Sequence, residues 1–254
     1  LVRRYDYTVS RVVQLDDYVT EISLLPRRRS LRFIPGQFLF VTFYSDAFNA
    51  QFHPFSMSAE DTTAIISLRP GDIRNQFHPF SITSSPEEEG LRVAVKAVGD
   101  YTTAMRNLDE GATARVEGPY GSFSYLNAAS RKQVWLAGGI GITPFLSMAR
   151  SLGNGSYEVH LIHGVKKRAQ AYFAGEVNRI AASKPGFDVT LVPEDERGLI
   201  TIDLIEESVG SLDDRDYLIC GPPVMIDAIS ARLVEKGVPR SRIHFERFGF
   251  GPRQ

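Results

Sequence analysis

Six residues, Gln-Phe-His-Pro-Phe-Ser, occur twice in this chain, at Gln51 to Ser56 and again at Gln76 to Ser81. The string couples an imidazole, a proline of fixed φ, an aromatic face and a hydroxyl. That set suits a strand end that lays polar donors along a flat cofactor while a ring packs beside it. A β-rich barrel also uses such a string as plain packing, and alone it does not choose. A second candidate is Gly138-Gly139-Ile140-Gly141-Ile142-Thr143-Pro144. Its glycines let a pyrophosphate approach the backbone, and a helix start there supplies free N–H groups and a positive dipole end. It departs from the G-x-G-x-x-G fingerprint because proline stands where the last glycine falls, and a tight turn without a ligand is the alternative. Cys220-Gly221-Pro222-Pro223 is a third candidate. Cys220 reads there either as a reactive thiol or as a small polarizable residue at a strand end.

These turns need elements to hold them. From Tyr5 to about Phe123 apolar and polar residues alternate in short runs such as Tyr7-Thr8-Val9, Phe38 to Phe43 and Leu91 to Val95. Turn residues punctuate them at Pro35-Gly36, Pro70-Gly71, Gly99-Asp100, Glu110-Gly111 and Gly118 to Gly121, which predicts an antiparallel barrel or sandwich. One helix is expected at Thr102 to Leu108, capped by Asp100 or Thr102, with Met105 and Leu108 facing inward. After about Leu126 the rhythm becomes strand, helix, strand. Strands fit Val134 to Ala137, Val159 to Ile162, Val189 to Val192, Tyr217 to Cys220 and Ile243 to Phe245. Helices fit Pro144 to Leu152, Ala169 to Ser183, Thr201 to Val209 and Pro223 to Lys236, with Thr143 placed to cap the first. Alternation of this kind predicts a parallel sheet covered on both faces, so both glycine turns open at one carboxyl edge. The polar stretch Asn127 to Lys132 marks the boundary, giving domains 1–127 and 128–254.

Composition narrows the chemistry. The chain has 254 residues, enough for two cores, with 29 basic against 30 acidic side chains and a net charge of −1. Its only runs of three basic residues are Arg27-Arg28-Arg29 and Lys166-Lys167-Arg168, so nucleic acid is not an expected partner. The single cysteine rules out an intramolecular disulfide framework, a cysteine-ligated zinc and a four-cysteine iron–sulfur cluster. Any bound redox group is then organic, and no metal site is expected. No apolar run approaches the roughly 18 to 20 residues of a membrane span. The start at Leu1 has neither an initiator Met nor a signal-peptide core and reads as an excised domain.

In chain order, Phe33 to Phe38, His78 to Pro86, Val95 to Thr102, Gly118 to Gly121, Gly138 to Phe145 and Cys220 to Pro223 resemble the ferredoxin reductase superfamily. Within it they are most similar to the dehydrogenase domain of ferric reductases and NADPH oxidases. The resemblance covers nearly the whole chain. It implies an N-terminal antiparallel Greek-key FAD-binding barrel followed by a Rossmann-like domain for the nicotinamide nucleotide. By the same resemblance His78, Pro79, Phe80 and Ser81 line the flavin, with the Ser81 hydroxyl near its reactive N5 edge, and Lys96, Gly99, Tyr101 and Thr102 hold the FAD phosphates. Gly139, Gly141, Thr143 and Pro144 meet the dinucleotide pyrophosphate, while Cys220, Gly221 and Pro222 lie beside the nicotinamide. Lys166, Lys167 and Arg168 follow the second parallel strand, where three cations suit a 2′-phosphate and favour NADPH over NADH. An aromatic near the C-terminus stacks on the flavin in this family, a role assigned to Phe250 with Phe248 as second choice.

Such a protein needs no catalytic acid, base or nucleophile; it orients cofactors and excludes water. The resemblance implies single-electron delivery to a transmembrane haem domain of the same full-length chain, with this part on the cytoplasmic side. A free-standing reductase for a soluble partner, and a flavin module without direct use of NAD(P)H, are the alternatives. The doubled hexapeptide then becomes a question of register. Each copy runs on into an apolar strand and a Gly-Asp pair, at Gly71-Asp72 or Gly99-Asp100, as a duplicated strand-turn-strand unit of 51–100 would. The second copy is expected to hold the flavin, because it alone leads directly into Lys96 and the Gly99 to Thr102 turn.

Overall fold

Period-two alternation in the first half builds an antiparallel sheet. The computed structural model describes residues 3–45 and 77–247. Strands β1 (Arg4–Gln14), β2 (Val19–Pro26), β3 (Phe38–Tyr44), β4 (His78–Ser81), β5 (Leu91–Lys96) and β6 (Thr113–Tyr120) lie in the order β4-β3-β6-β1-β2-β5. Both β2 and β6 pair antiparallel with β1. Alternate side chains, among them Tyr7, Val9, Ile22, Leu24, Leu39, Val41, Val93, Val95, Ala114 and Val116, fill the interior. The edge strands β4 and β5 are bridged by helix α1 (Asp100–Ala104). Its Tyr101 ring stacks on His78 of β4, with centroids 3.8 Å apart and planes inclined by 22°. The sheet thus curls into the expected antiparallel barrel. Pro79 sits on an edge strand, where a missing N–H costs no ladder bond.

The second half forms the expected parallel sheet. Its strands are β7 (Lys132–Gly138), β8 (Glu158–Val165), β9 (Phe187–Pro193), β10 (Asp216–Gly221) and β11 (Ile243–Arg247), in the order β11-β10-β7-β8-β9. Helices α2 (Thr143–Ser151), α3 (Ala174–Ser183), α4 (Glu194–Arg197), α5 (Ile202–Val209) and α6 (Pro223–Glu235) connect them. On one face Trp135, Ala137, Leu161 and Leu218 pack with Phe145, Met148 and Val177 from α2 and α3. On the other, Val134, Leu136, Ile162 and Ile219 pack with Ile205, Ile226 and Leu233 from α5 and α6. Both faces are buried, which is why these strands read as continuous apolar runs.

Among the described residues, one compact unit comprises 3–32, 38–45, 77–80 and 89–119, and the other 33–37, 81–88 and 120–247. Three local expectations differ in detail. The expected helix over 102–108 is α1 followed by a 3-10 turn at Met105–Asn107, with Met105 and Leu108 buried as anticipated. The helix expected from Ala169 starts only at Ala174, because Phe173 adopts φ 64° and interrupts the run. Thr143 does not cap α2: its hydroxyl donates to the Ile140 carbonyl at 3.1 Å, so it shapes the turn before the helix. The first hexapeptide copy at 51–56, Gln76 and the aromatics Phe248 and Phe250 lie outside the described residues.

Candidate functional site

Two groups of residues separated in sequence meet in the barrel. Half-buried His78 lies against Tyr101, so the second hexapeptide and the Gly99 to Thr102 turn form one surface. Burial drives the His78 pKa down, leaving a neutral ring. It also pushes Tyr101 up to about 12, against downward pulls from the Phe43 backbone and the Thr42 side chain. Thr102 makes the turn: its Oγ1 accepts from the N–H of Val98 at 2.9 Å and of Gly99 at 3.1 Å and donates to the Gly99 carbonyl at 3.0 Å. Lys96 ends β5 with its side chain exposed just before that turn. Pro79 is exposed and Phe80 half-buried on the same short strand.

The hexapeptide is divided between the two units, His78 to Phe80 in one and Ser81 in the other. Ser81 is 5 % exposed and its Oγ has no partner among the described residues, and Thr83 Oγ1, 0 % exposed, has none either. Buried hydroxyls are ordinarily satisfied, so these two leave hydrogen-bonding capacity for a bound polar edge such as a flavin's. The backbone just beyond Ser81 is held firmly. Ile82 N–H donates to Gln37 O at 3.0 Å, Ser147 Oγ to Ser84 O at 2.6 Å, and the Arg150 guanidinium to Thr83 O. Arg150 is itself gripped by both carboxylate oxygens of Glu176, at 2.7 and 2.8 Å. Upstream, Gly36 at φ 94° has no room for a side chain, since a Cβ would fall 2.2 Å from the Phe123 carbonyl oxygen.

The parallel sheet reverses its strand order between β7 and β10, the switch point at which such sheets open a crevice beyond the strand ends. Both glycine turns emerge there. A Cβ on Gly141 would lie 2.3 Å from the Cys220 carbonyl oxygen, and one on Gly221 would lie 3.0 Å from the Gly138 Cα. The glycines at 138, 141 and 221 therefore let two backbone segments touch. Gly139 differs: it holds φ +55°, and a Cβ added to it would meet nothing within 4 Å. The space above this partly exposed turn is open. Pro144 stands in the first turn of the nine-residue α2, where its lack of an N–H is harmless. Pro222 is exposed beside Gly221.

Cys220 is 0 % exposed, and burial with the nearby Glu246 carboxylate pushes its thiol far up. Burial thus favours the protonated thiol and the reading of Cys220 as a small packing residue at a strand end. Lys166, Lys167 and Arg168 are exposed after β8. Arg168 is engaged: its Nε donates to Glu196 Oε1 at 3.0 Å and its Nη2 reaches Oε2, and this pairing holds the Glu196 carboxyl below its usual range.

Two residues escaped sequence reasoning. Glu246 of β11 sits in register with Cys220, its Oε2 is shielded with no partner among the described residues, and burial raises it to about 7. His163 of β8 is buried against the glycine turn, with its Nε2 at 2.9 Å from the Gly139 carbonyl oxygen. A charged residue inside the strand-like run Ile243 to Phe248 was the signal for the first; a lone histidine in an apolar strand gives none.

Residues 135–231 match the family described as Oxidoreductase NAD-binding domain, and residues 62–124 the family described as FAD-binding domain. The second match contains Gln76 to Ser81 and leaves out Gln51 to Ser56. The chain is 28% identical over 200 residues to Flavohemoprotein A of Dictyostelium discoideum, covering 72% of this chain and 50% of that protein. It spans about half the length of the curated relatives it matches. Among solved structures, the flavohemoglobin of Malassezia yamatoensis, with bound FAD and heme, superposes with a TM-score of 0.76 at 22% identity, over 98% of this chain and 61% of the other. A ferredoxin NADP+ reductase of Neisseria gonorrhoeae, with bound FAD and NADP, gives 0.76 at 18% identity over 97% and 99%. These two likenesses speak to the fold.

Proposed function

We propose, from the premise that the chain belongs to the ferredoxin reductase superfamily and binds FAD and a nicotinamide dinucleotide, that it takes electrons from NADPH, with NADH as second donor, and delivers them singly to a haem acceptor. The observation that carries this reading is the pair of glycine turns meeting at the switch point of the parallel sheet, with open space over Gly139. When bound, FAD supplies the conversion of a two-electron donor into a one-electron source. The residues orient and exclude water. Gly139, Gly141, Thr143 and Pro144 receive the pyrophosphate, Gly221, Pro222 and the Cys220 backbone flank the nicotinamide, and Lys166, Lys167 and Arg168 serve a 2′-phosphate. His78, Pro79, Phe80 and Ser81 line the flavin, Lys96, Gly99, Tyr101 and Thr102 its phosphates, and Phe250 or Phe248 its stacking face.

The acceptor follows from the ferric reductase and NADPH oxidase resemblance as a transmembrane haem domain. The flavohemoproteins among the relatives favour haem more broadly. No helix among the described residues is long and apolar enough to cross a membrane. A second reading, a reductase for a separate protein partner, is favoured by the relative named glycine betaine monooxygenase reductase subunit of Chromohalobacter salexigens. Mixing the FAD-loaded chain with NADPH or NADH in the absence of air should bleach the flavin. Failure with both donors would favour a flavin module that does not use NAD(P)H.

The flavin is assigned to the second hexapeptide, supported by its continuity with β5 and the turn after it and by the extent of the FAD-binding match. Changing His78 and Ser81 should therefore release FAD, whereas changing His53 and Ser56 should leave flavin content at the parent level. The reverse pattern in the absorbance of purified variants would move the flavin to the first copy.

A further inference from the structure

His163 stands in β8 beside Ala137 of β7, is 3 % exposed, and has no task in the scheme above. Its Nε2 lies 2.9 Å from the Gly139 carbonyl oxygen. A carbonyl only accepts, so Nε2 carries the proton and donates. Burial keeps the ring neutral, pushing its pKa down to about 4 against a smaller upward pull from the Gly139 bond. The imidazole is thus a fixed, uncharged donor aimed at one backbone atom.

That atom belongs to the one glycine of the turn with open space around it. In a trans peptide plane the C=O and the N–H point in opposite directions. Fixing the Gly139 carbonyl on His163 therefore turns the Ile140 N–H away from the strand. The other constraints on the turn act further along: the Thr143 hydroxyl on the Ile140 carbonyl, and the close approach of Gly141 to Cys220. His163 controls the remaining peptide, at the φ of +55° that only a glycine adopts cheaply.

We infer that His163 is a positioning residue for nucleotide binding: by holding the Gly139 carbonyl it fixes the turn so that the Ile140 N–H is presented to the pyrophosphate of the dinucleotide. The inference rests on the reading that this turn takes the nicotinamide dinucleotide. It concerns the bond to Gly139, not the volume the ring fills, and that difference is testable.

The test uses the whole FAD-loaded chain and follows anaerobic flavin reduction over a range of NADPH and NADH concentrations. His163→Leu removes the donor at similar volume, and His163→Gln restores an Nε2 donor at similar reach. Loss of one hydrogen bond predicts that the Leu variant raises the half-saturating concentration of both donors about five- to tenfold while the limiting rate stays within about twofold, with the Gln variant near the parent. Unchanged half-saturation in the Leu variant, or equal loss in both variants, overturns the inference. If the Leu variant does not fold, nitrogen-15 NMR of the parent's histidines decides. A neutral Nε2–H tautomer whose resonance shifts on adding NADP+ supports the inference, and an Nδ1–H tautomer or no response overturns it. A parent reduced by neither donor refutes the nicotinamide reading and the inference with it, whereas a reducible parent beside an unaffected Leu variant refutes the inference alone.

Discussion

Glu246 and Glu196 show how one residue type does opposite things when half-buried and when exposed. Glu246 is shielded, and burial raises its pKa to about 7 from 4.5. The fold therefore holds a proton that the unfolded chain releases between those values. The stability linked to that proton is complete below pH 4.5 and is lost as pH rises through 7. Glu246→Gln, neutral throughout, should flatten this slope and gain on the order of 1–2 kcal/mol at pH 8, allowing for partial exposure. Urea melts of parent and variant at pH 5 and pH 8 measure it; identical losses in both would mean the carboxyl is already ionised. Glu196 instead lies in the open, paired with Arg168. If Arg168 takes a 2′-phosphate, as proposed, the phosphate must compete with Glu196 for that guanidinium. Glu196→Gln should lower the half-saturating concentration of NADPH about threefold and leave that of NADH unchanged, the modest size expected when an exposed ion pair is removed. Equal shifts for both donors would take Arg168 out of 2′-phosphate recognition.

At the scale of elements, glycines that look alike in the turn after β7 have separate reasons. An alanine Cβ at position 141 would press on the backbone of Cys220 and Gly221, which cannot swing aside, so Gly141→Ala should cost about 1–3 kcal/mol by overpacking. At position 139 only the left-handed φ opposes a side chain, costing roughly 1–2 kcal/mol, but the new methyl would occupy the open space. Gly139→Ala should then weaken dinucleotide binding more than Gly141→Ala does per unit of lost stability. Denaturation midpoints set against half-saturating NADPH would reveal it. The strand-turn-helix order of these elements was legible because glycine, proline and apolar runs recur at fixed places in a parallel sheet. The stacking of His78 on Tyr101 was not legible: the family resemblance put both on the FAD without a contact, and no local spacing ties β4 to α1. His163 and Glu246 were not legible as site residues: a single polar side chain within an apolar strand carries no period, and its use depends on which neighbouring turn it reaches.

For the whole molecule, the sequence suggested one cut, between residues 127 and 128. The compact units instead exchange segments, with 33–37 and 81–88 joining the unit that holds 120–247. This membership could not be read from composition, because it depends on Ser147 and Arg150 capturing the carbonyls of Ser84 and Thr83, far away in sequence. A fragment of residues 128–254 would lack those carbonyls and leave the Arg150–Glu176 pair without its third member. It would also lose Phe123 and Tyr125 from the core around Trp135. Expressed alone, it should melt well below the intact chain or fail to fold, as calorimetry would report. A fragment as stable as the parent would mean these contacts contribute little.

A clasp between residues this far apart in sequence also bears on inheritance. A crossover within the gene between the codons for Ser84 and Ser147 would join the Thr83 and Ser84 carbonyls of one ancestor to the Ser147 and Arg150 side chains of another. Chimaeras built that way inherit mismatched halves of a single clasp. Exchange that breaks between those codons should therefore fail more often than exchange that keeps both halves of the clasp together.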